Sequence, residues 1–336
     1  VTITDVARTA GVSVATVSKV INGRYGVAQA TSERVQEVIT TLGYEGSLVA
    51  RSLRSHRTNV IGILVAEFEP FSTEILKGVS QAIAGTGYDL LAYSGSGAGG
   101  GEVGWERRSL SRLSGTLIDG AILVTPTVIE VHDGVPVVAI DPHTGPSGIP
   151  TVDSDNLAGA VAATEHLLQL GHRRIAFLGG RTDLESSHLR EQGFRTAMER
   201  AGVPVDPALV RVGGYRRESA DRPAHELLQL ADRPTAVFAA NDLMAIATLE
   251  AAADLGIAVP DALSVVGFDD IPEAAATTPP LTTVAQPIQR MGSEAIGLLV
   301  ELMTGREVAT PHLRLPTRLV ERGTCAPVPA QIGAPA

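Results

Sequence analysis

Residues 2–22, Thr-Ile-Thr-Asp-Val-Ala-Arg-Thr-Ala-Gly-Val-Ser-Val-Ala-Thr-Val-Ser-Lys-Val-Ile-Asn, constrain the fold more than any other stretch. Thr4 followed by Asp5 suits a helix start, because a hydroxyl satisfies free amides and an early carboxylate complements the helix dipole. Val6, Ala7 and Ala10 then share one face, and Gly11 can take the positive φ that ends a helix. A second short helix over Val14 to Asn22 places Val17, Val20 and Ile21 on one side and Ala15, Thr16, Ser18 and Lys19 on the other. Two short helices joined by a tight glycine turn form a helix-turn-helix, whose second helix can enter a DNA major groove; an ordinary helical hairpin has the same outline. Thr31-Ser32-Glu33 opens a third helix whose Val35, Val38, Ile39 and Leu42 recur at helical spacing and close a three-helix core.

Charge separates this head from the rest of the chain. The protein carries −10 overall, yet before Val60 seven basic residues (Arg8, Lys19, Arg24, Arg34, Arg51, Arg54, Arg57) outnumber four acidic ones, a net charge of +3 that leaves −13 for the remainder. A basic head on an acidic body suits a protein that docks one end on phosphate, although a merely solvated basic face has the same composition. The 336 residues suffice for two or three compact units, and no stretch approaches membrane-spanning length. The start shows no charged and apolar leader, and a lone Cys325 excludes an internal disulfide or a cysteine-built metal site, so a cytoplasmic protein is expected.

From Asn59 the pattern alternates. Strands are expected at 60–65, 89–93, 120–124, 136–140, 174–179, 209–212, 236–239, 264–268 and 313–319. Helices are expected at 72–84, 105–113, 157–169, 189–201, 219–230, 243–255 and 288–303. Such alternation predicts parallel sheets with helices on both faces, and two α/β subdomains side by side make a cleft at the carboxyl ends of their strands. Between head and body, residues 46–55 place Leu48, Val49 and Leu53 on one apolar side of a segment too short to be a stable helix alone, since roughly 12–15 residues are needed.

Three motifs suggest other chemistry and lack its context. Gly95-Ser-Gly-Ala-Gly-Gly100 matches a dinucleotide fingerprint, but no helix opens from it and Asp119 precedes the next strand instead of ending it. His166 and His172 have no third ligand at metal spacing, and Asp269-Asp270 lacks a nucleophile. Neither an enzyme nor a cofactor is expected.

Several runs carry a resemblance: residues 12–23, Ala50-Arg-Ser-Leu-Arg54, Val152-Asp-Ser-Asp-Asn156, Gly171-His-Arg-Arg-Ile-Ala-Phe177, Arg190 with Gly193-Phe194, Ala240-Asn-Asp242, Val259-Pro260, Ser264-Val-Val-Gly-Phe-Asp-Asp270 and Pro280-Leu-Thr-Thr-Val-Ala-Gln286. From Thr2 to about Arg322 the chain resembles the lactose/galactose-repressor family of bacterial transcriptional regulators. The resemblance implies a helix-turn-helix head at 1–45, a hinge helix at 46–58 and an effector-binding, dimerising core at 59–325. That core resembles periplasmic binding proteins, with one subdomain at about 59–156 and 287–315 and the other at about 157–284 and 316–325. A disordered tail at 326–336 is expected.

The resemblance also assigns residues. Val14, Ala15 and Lys19 fall at base-reading positions, with Thr2, Ser13, Thr16, Ser18, Asn22 and Thr31 as further DNA contacts. Leu53 matches a leucine that wedges into the minor groove, and Ala50 the small residue beside it. Where the family commonly has Pro-Asn this chain has Gly46-Ser47, which implies a looser hinge. Arg190, Asn241 and Asp269 match ligand-gripping positions, with Asp155 a fourth, and Phe71 and Tyr215 cover a ring. Their donors and acceptors suit a sugar. Phe71-Ser72 stands where two aromatics are common, which disfavours a purine. The expected protein is a homodimeric repressor released from a palindromic double-stranded operator by a small carbohydrate. A corepressor-dependent regulator of the same fold is the alternative, and a stand-alone sugar-binding protein would have no use for residues 2–58. The terminal residues are broken by prolines and lack the leucine heptads that make some members tetramers.

Overall fold

The computed structural model describes residues 1–21, 25–44, 57–95, 103–128, 134–146, 148–306 and 308–328. The chain divides into two compact units, Val1–Thr58 with Gly115–Leu117, and the remainder from Asn59. Asn22, the hinge segment with Ala50 and Leu53, and most of the Gly95–Gly100 loop lie outside the described residues.

The first unit is three helices, α1 (Ile3–Ala10), α2 (Val14–Ile21) and α3 (Gln29–Leu42). Helix α1 starts earlier than Thr4, because Thr2 and Asp5 form a capping box: the Thr2 amide donates to Asp5 Oδ2 at 2.9 Å and the Asp5 amide donates to Thr2 Oγ1 at 3.3 Å. That box needs an acid three residues after the cap, a spacing Thr2 meets and Thr4 does not. Gly11 ends α1 at φ +66°, its amide donating to the Ala7 and Arg8 carbonyls. Ser13 opens α2, its Oγ accepting from the Thr16 amide at 3.1 Å. Helix α3 begins two residues before the expected Thr31, its first turn spanned by a 3.0 Å bond from Gln29 to Glu33. Val6, Ala7, Ala10, Val17 and Val35 form the buried centre, flanked by Val20, Val38, Ile39 and Leu42. Ile21, expected inside, is exposed.

The second unit holds two six-stranded sheets. The first has the order β11-β5-β4-β3-β1-β2, from β1 (Val60–Val65), β2 (Asp89–Ser94), β3 (Gly120–Val124), β4 (Val137–Ile140), β5 (Thr151–Ser154) and β11 (His312–Leu315), and every pair is parallel. The second has the order β12-β10-β9-β8-β6-β7, from β6 (Ile175–Gly179), β7 (Val210–Val212), β8 (Ala236–Ala239), β9 (Ser264–Asp269), β10 (Thr282–Ala285) and β12 (Arg318–Val320). It is parallel except for β12, which runs against β10. The helices are α4 (Pro70–Ala82), α5 (Trp105–Leu113), α6 (Asn156–Gln169), α7 (Glu185–Arg200), α8 (Arg217–Leu228), α9 (Asp242–Asp254), α10 (Pro272–Ala276) and α11 (Ile288–Met303). None in the described residues is long and apolar enough to cross a membrane.

Strand β1 shows why helices cover both faces. Its six residues are all buried, and successive side chains point to opposite sides. Ile61, Ile63 and Val65 join the cluster containing Ile75 and Val79 of α4, whereas Val60 and Leu64 join Trp105, Leu110 and Leu113 of α5.

Strands β5 and β10 are not expected from the sequence because at least half of each is polar. Both are fully buried, and their side chains are paired: Asp153 accepts from Arg314 and pairs with His312, and Thr283 donates to Asp242. The strand expected at 313–319 is two strands in different sheets. Pro316 divides them, having no amide to offer a ladder. The chain therefore crosses between sheets three times, after β5, after β10 and between β11 and β12. Beyond β12 it stays bonded to the body past the expected tail boundary, the Val328 amide donating to Leu170 at 3.0 Å.

Candidate functional site

On the head, α2 turns Val17 into the core and leaves Val14, Ala15 and Lys19 exposed, so one short helix offers two apolar groups and a cation side by side. Ser13 is exposed and Thr16 and Ser18 half-buried on the same helix, with Ser13 and Thr16 hydroxyls 2.9 Å apart. Thr31 is half-buried in the first turn of α3, and Thr2 is exposed at the cap of α1. The loop before α3 lies against α2: a β-carbon at Gly26 would come within 3.9 Å of Lys19 Nζ. Asn22, Ala50 and Leu53 fall outside the described residues, so the minor-groove contacts expected of the latter two have no geometry here.

In the body, the carboxyl ends of strands from both sheets converge on a cleft of about 870 Å³, open to solvent. From the first sheet come Glu67 and Glu69 after β1, Phe71 and Ser72 on α4, Thr125 after β3, and Asp141 and His143 after β4. From the second come Arg181 after β6, Ser186 and Arg190 on α7, Tyr215 and Arg216 after β7, Asn241 after β8, and Asp269 at the end of β9.

Arg190 is the centre of the floor. It is only 4 % exposed. Its Nε donates to Asn156 at 2.8 Å, its Nη1 donates to Asp269 at 3.2 Å and to the Ala240 carbonyl, and the guanidinium lies 3.9 Å from the Phe268 ring centroid. An aromatic face beneath a buried cation fixes its plane and offsets part of its lost hydration. Asp269 also accepts from Gln286 Nε2 at 2.6 Å. Burial pushes its pKa up to about 6 against the pull of Arg190 and Gln286. Asp141 is raised to about 6 in the same way, by burial opposed by Arg190. Behind them Asp242 is held well above the carboxylate range by burial and by the neighbouring Asp269.

Asn241 lines the cleft and is held in place at both side-chain atoms: its Oδ1 caps α9 by accepting from Met244, and its Nδ2 donates to the Tyr215 carbonyl at 3.0 Å. Tyr215 stands at φ +69° with its ring against Gly180, where a β-carbon would collide with it. Its buried hydroxyl approaches Ser186 without a hydrogen bond of good geometry, and burial raises its pKa. Of the six described non-glycine residues at positive φ, four line the cleft: Thr125, Asp141, Tyr215 and Asp269. Such conformations cost roughly 1–3 kcal/mol each and gather where a site dictates backbone geometry.

Five of the six residues expected to hold an effector, Phe71, Arg190, Tyr215, Asn241 and Asp269, thus meet in one cleft. Asp155 does not line it, and caps α6 by accepting from the Ala158 amide at 3.0 Å. Asp141, His143, Arg181, Glu67, Glu69 and Arg216 are not expected from the sequence. A signal is nonetheless present for Asp141, which directly follows the apolar strand β4, where ligands of open α/β sheets sit. His172 is a structural group, its ring bonded to Thr235 at 2.9 Å and Ser264 at 3.0 Å.

Comparison with known proteins agrees with this geometry. Residues 2–47 match the model of the bacterial regulatory proteins of the lacI family, and residues 164–325 match a periplasmic binding protein-like domain. The chain is 35 % identical to the ribose operon repressor of Escherichia coli (strain K12), covering 96 % of this chain and 99 % of that protein. A solved transcriptional regulator CelR–cellobiose complex shares 34 % identity over 96 % of this chain and 99 % of its own, with a TM-score of 0.71. The lac repressor dimer bound to operator and the anti-inducer ONPF shares 27 % identity over 97 % and 99 %, with a TM-score of 0.82.

Proposed function

This chain belongs to the lacI family of bacterial regulatory proteins, and from that premise we propose that it is a dimeric cytoplasmic repressor released from a symmetric operator by a small neutral sugar. It is a DNA-binding transcriptional regulator with a small-molecule effector. The observation that carries the sugar assignment is the cleft lining, where Arg190 bonds Asp269 and feels the charge of Asp141, with Phe71 and Tyr215 beside them. Carboxylates accept from hydroxyl groups, a guanidinium donates to adjacent oxygens, and aromatic faces cover the C–H side of a ring. The relatives named for ribose and cellobiose support the same class.

On the head, Val14 and Ala15 suit thymine methyl groups and Lys19 a guanine edge. The cleft lies between sheets joined by three chain crossings, so a ligand that prefers one spacing of the sheets biases the body between two arrangements. Release then needs only that the sugar bind the non-operator arrangement more tightly.

The test is to select operator fragments from genomic DNA with the full chain, then titrate a panel of pentoses, hexoses, disaccharides and purines into the complex. A sugar that releases DNA at micromolar to millimolar concentration is the expected result. Release by a purine alone, or a sugar that tightens the complex, would overturn the assignment.

A further inference from the structure

Five buried polar residues join the floor of the cleft to two of the three places where the chain changes sheet. Ser154 is the last residue of β5 and Asn156 the first of α6, so they flank the first crossing. Gln286 stands at the second, between β10 and α11. Arg190 and Asp269 complete the set, and none of the five is more than 7 % exposed.

Their hydrogen bonds close a ring through Ser154. Arg190 Nε donates to Asn156 Oδ1 at 2.8 Å, and Asn156 Nδ2 donates to the Ser154 carbonyl at 3.2 Å. Ser154 Oγ donates to Gln286 Oε1 at 2.5 Å, and Gln286 Nε2 donates to Asp269 Oδ1 at 2.6 Å. Arg190 Nη1 returns to that same oxygen at 3.2 Å.

The charged pair dictates the direction of these bonds. A guanidinium only donates and a carboxylate only accepts, so Asn156 must turn its oxygen to Arg190 and Gln286 its nitrogen to Asp269. Turning over either amide would set donor against donor or acceptor against acceptor in a buried site, where such mismatches are costly. Gln286 therefore offers its oxygen to Ser154 because Asp269 holds its nitrogen. Its main chain is fixed to the same residue, the Gln286 amide donating to the Asp269 carbonyl at 3.2 Å. Ser154, by contrast, belongs to the other sheet. A shift between the sheets thus either breaks the Ser154 bond or draws the Gln286 side chain away from Asp269. Both weaken the donation that holds Asp269 ionised, the first because a hydroxyl on the amide oxygen strengthens its N–H as a donor.

We infer that Gln286 is a positioning residue that links Asp269 to the first chain crossing through Ser154, and so couples the effector cleft to operator binding. Neither Gln286 nor Ser154 lines the cleft, so the pair acts only through Asp269. The proposal rests on the cleft being the effector site. Its test uses protons and operator alone, so loss of the sugar assignment leaves it standing.

The full chain is labelled with carboxyl-13C aspartate, and the Asp269 signal is identified by its loss in Asp269→Asn. That signal is titrated from about pH 5 to 8, with and without the operator fragment. The other charged and titratable groups facing Asp269 are Arg190, Asp141, Asp242 and Tyr215, which every sample retains. In the wild-type chain operator should move the midpoint by about 0.3 or more, a twofold linkage to operator affinity. Ser154→Ala, which deletes one hydroxyl, should cut that difference to less than half, and Gln286→Met should remove it. If Gln286→Met does not fold, Ser154→Ala decides alone. A merely structural bond would lower the urea midpoint in Ser154→Ala and leave the operator-dependent difference intact. That result, or a wild-type midpoint that operator does not move, would overturn the relay.

Discussion

Asp141 and Asp269 share one cation, and that shortage makes the floor of the cleft sensitive to pH. Both carboxyls titrate at about 6, above the usual aspartate value, because burial costs more than Arg190 returns. Between roughly pH 4 and 6 the folded body therefore holds protons that the unfolded chain has released, and these two groups make stability fall as pH rises through that window. Sugar binding runs the other way, since a protonated carboxyl loses acceptor capacity. Calorimetric affinity for the releasing sugar is expected to drop at least tenfold between pH 7.5 and 5, and Asp269→Asn should flatten that profile. Arg190→Ala will report on folding before it reports on the effector. It strands the buried Asp269 and removes the cation nearest the half-buried Asp141, and is expected to cost about 3–5 kcal/mol in urea unfolding. On the head the residue of interest is Lys19, exposed on α2. Lys19→Ala should lose roughly 1–3 kcal/mol of discrimination at one base position per half-site, read by binding to a set of single-base operator variants.

At the scale of elements, chemistry decided what was legible. Strands β1, β3 and β8 and helices α5 and α11 have the bounds expected from the sequence, because each is an apolar run or a helical stripe with clear borders. Helices α4, α7 and α8 begin two to four residues early, because their first turns, opened by Pro70 in α4 and carrying Glu185 and Glu218 in α7 and α8, have no side-chain cap and lie ahead of the apolar periodicity. Strands β5 and β10 hide their burial behind paired threonine and aspartate side chains, a pairing visible only once His312, Arg314 and Asp242 are in place. The same gap hid Asp141 and the charged Glu67, Glu69 and Arg216, which become neighbours through tertiary folding, whereas Arg190, Asn241 and Asp269 were reached through resemblance. Glycines at helix contacts were equally silent. Gly78 of α4 faces the Gln289 carbonyl of α11, and Gly292 of α11 faces the Ile75 carbonyl, so the helices touch backbone to backbone. Gly78→Ala must push them apart, and a loss of roughly 1–3 kcal/mol is expected from the shift in the urea midpoint.

The whole molecule must be argued from how little one head can read. Helix α2 has 8 residues, about 12 Å of helix, and exposes Val14, Ala15 and Lys19 to a groove. Three side chains specify only a few base pairs, far too few to find one site in a genome. The head's charge of +3 is likewise a small attraction beside the −13 of the rest, which phosphate repels. Two linked heads resolve both difficulties, because binding the first raises the effective concentration of the second. The operator should therefore be a near-palindrome whose half-sites are matched to the spacing of the heads. Replacing one half-site with unrelated sequence is expected to weaken binding at least a hundredfold. Inserting five base pairs between the half-sites rotates one by about half a turn and should weaken it as much, while inserting ten should recover part of the loss. Gel-shift titrations at fixed salt distinguish these cases. Equal affinity for the intact site and for a single half-site would mean that one head suffices, and the dimeric reading would have to be given up.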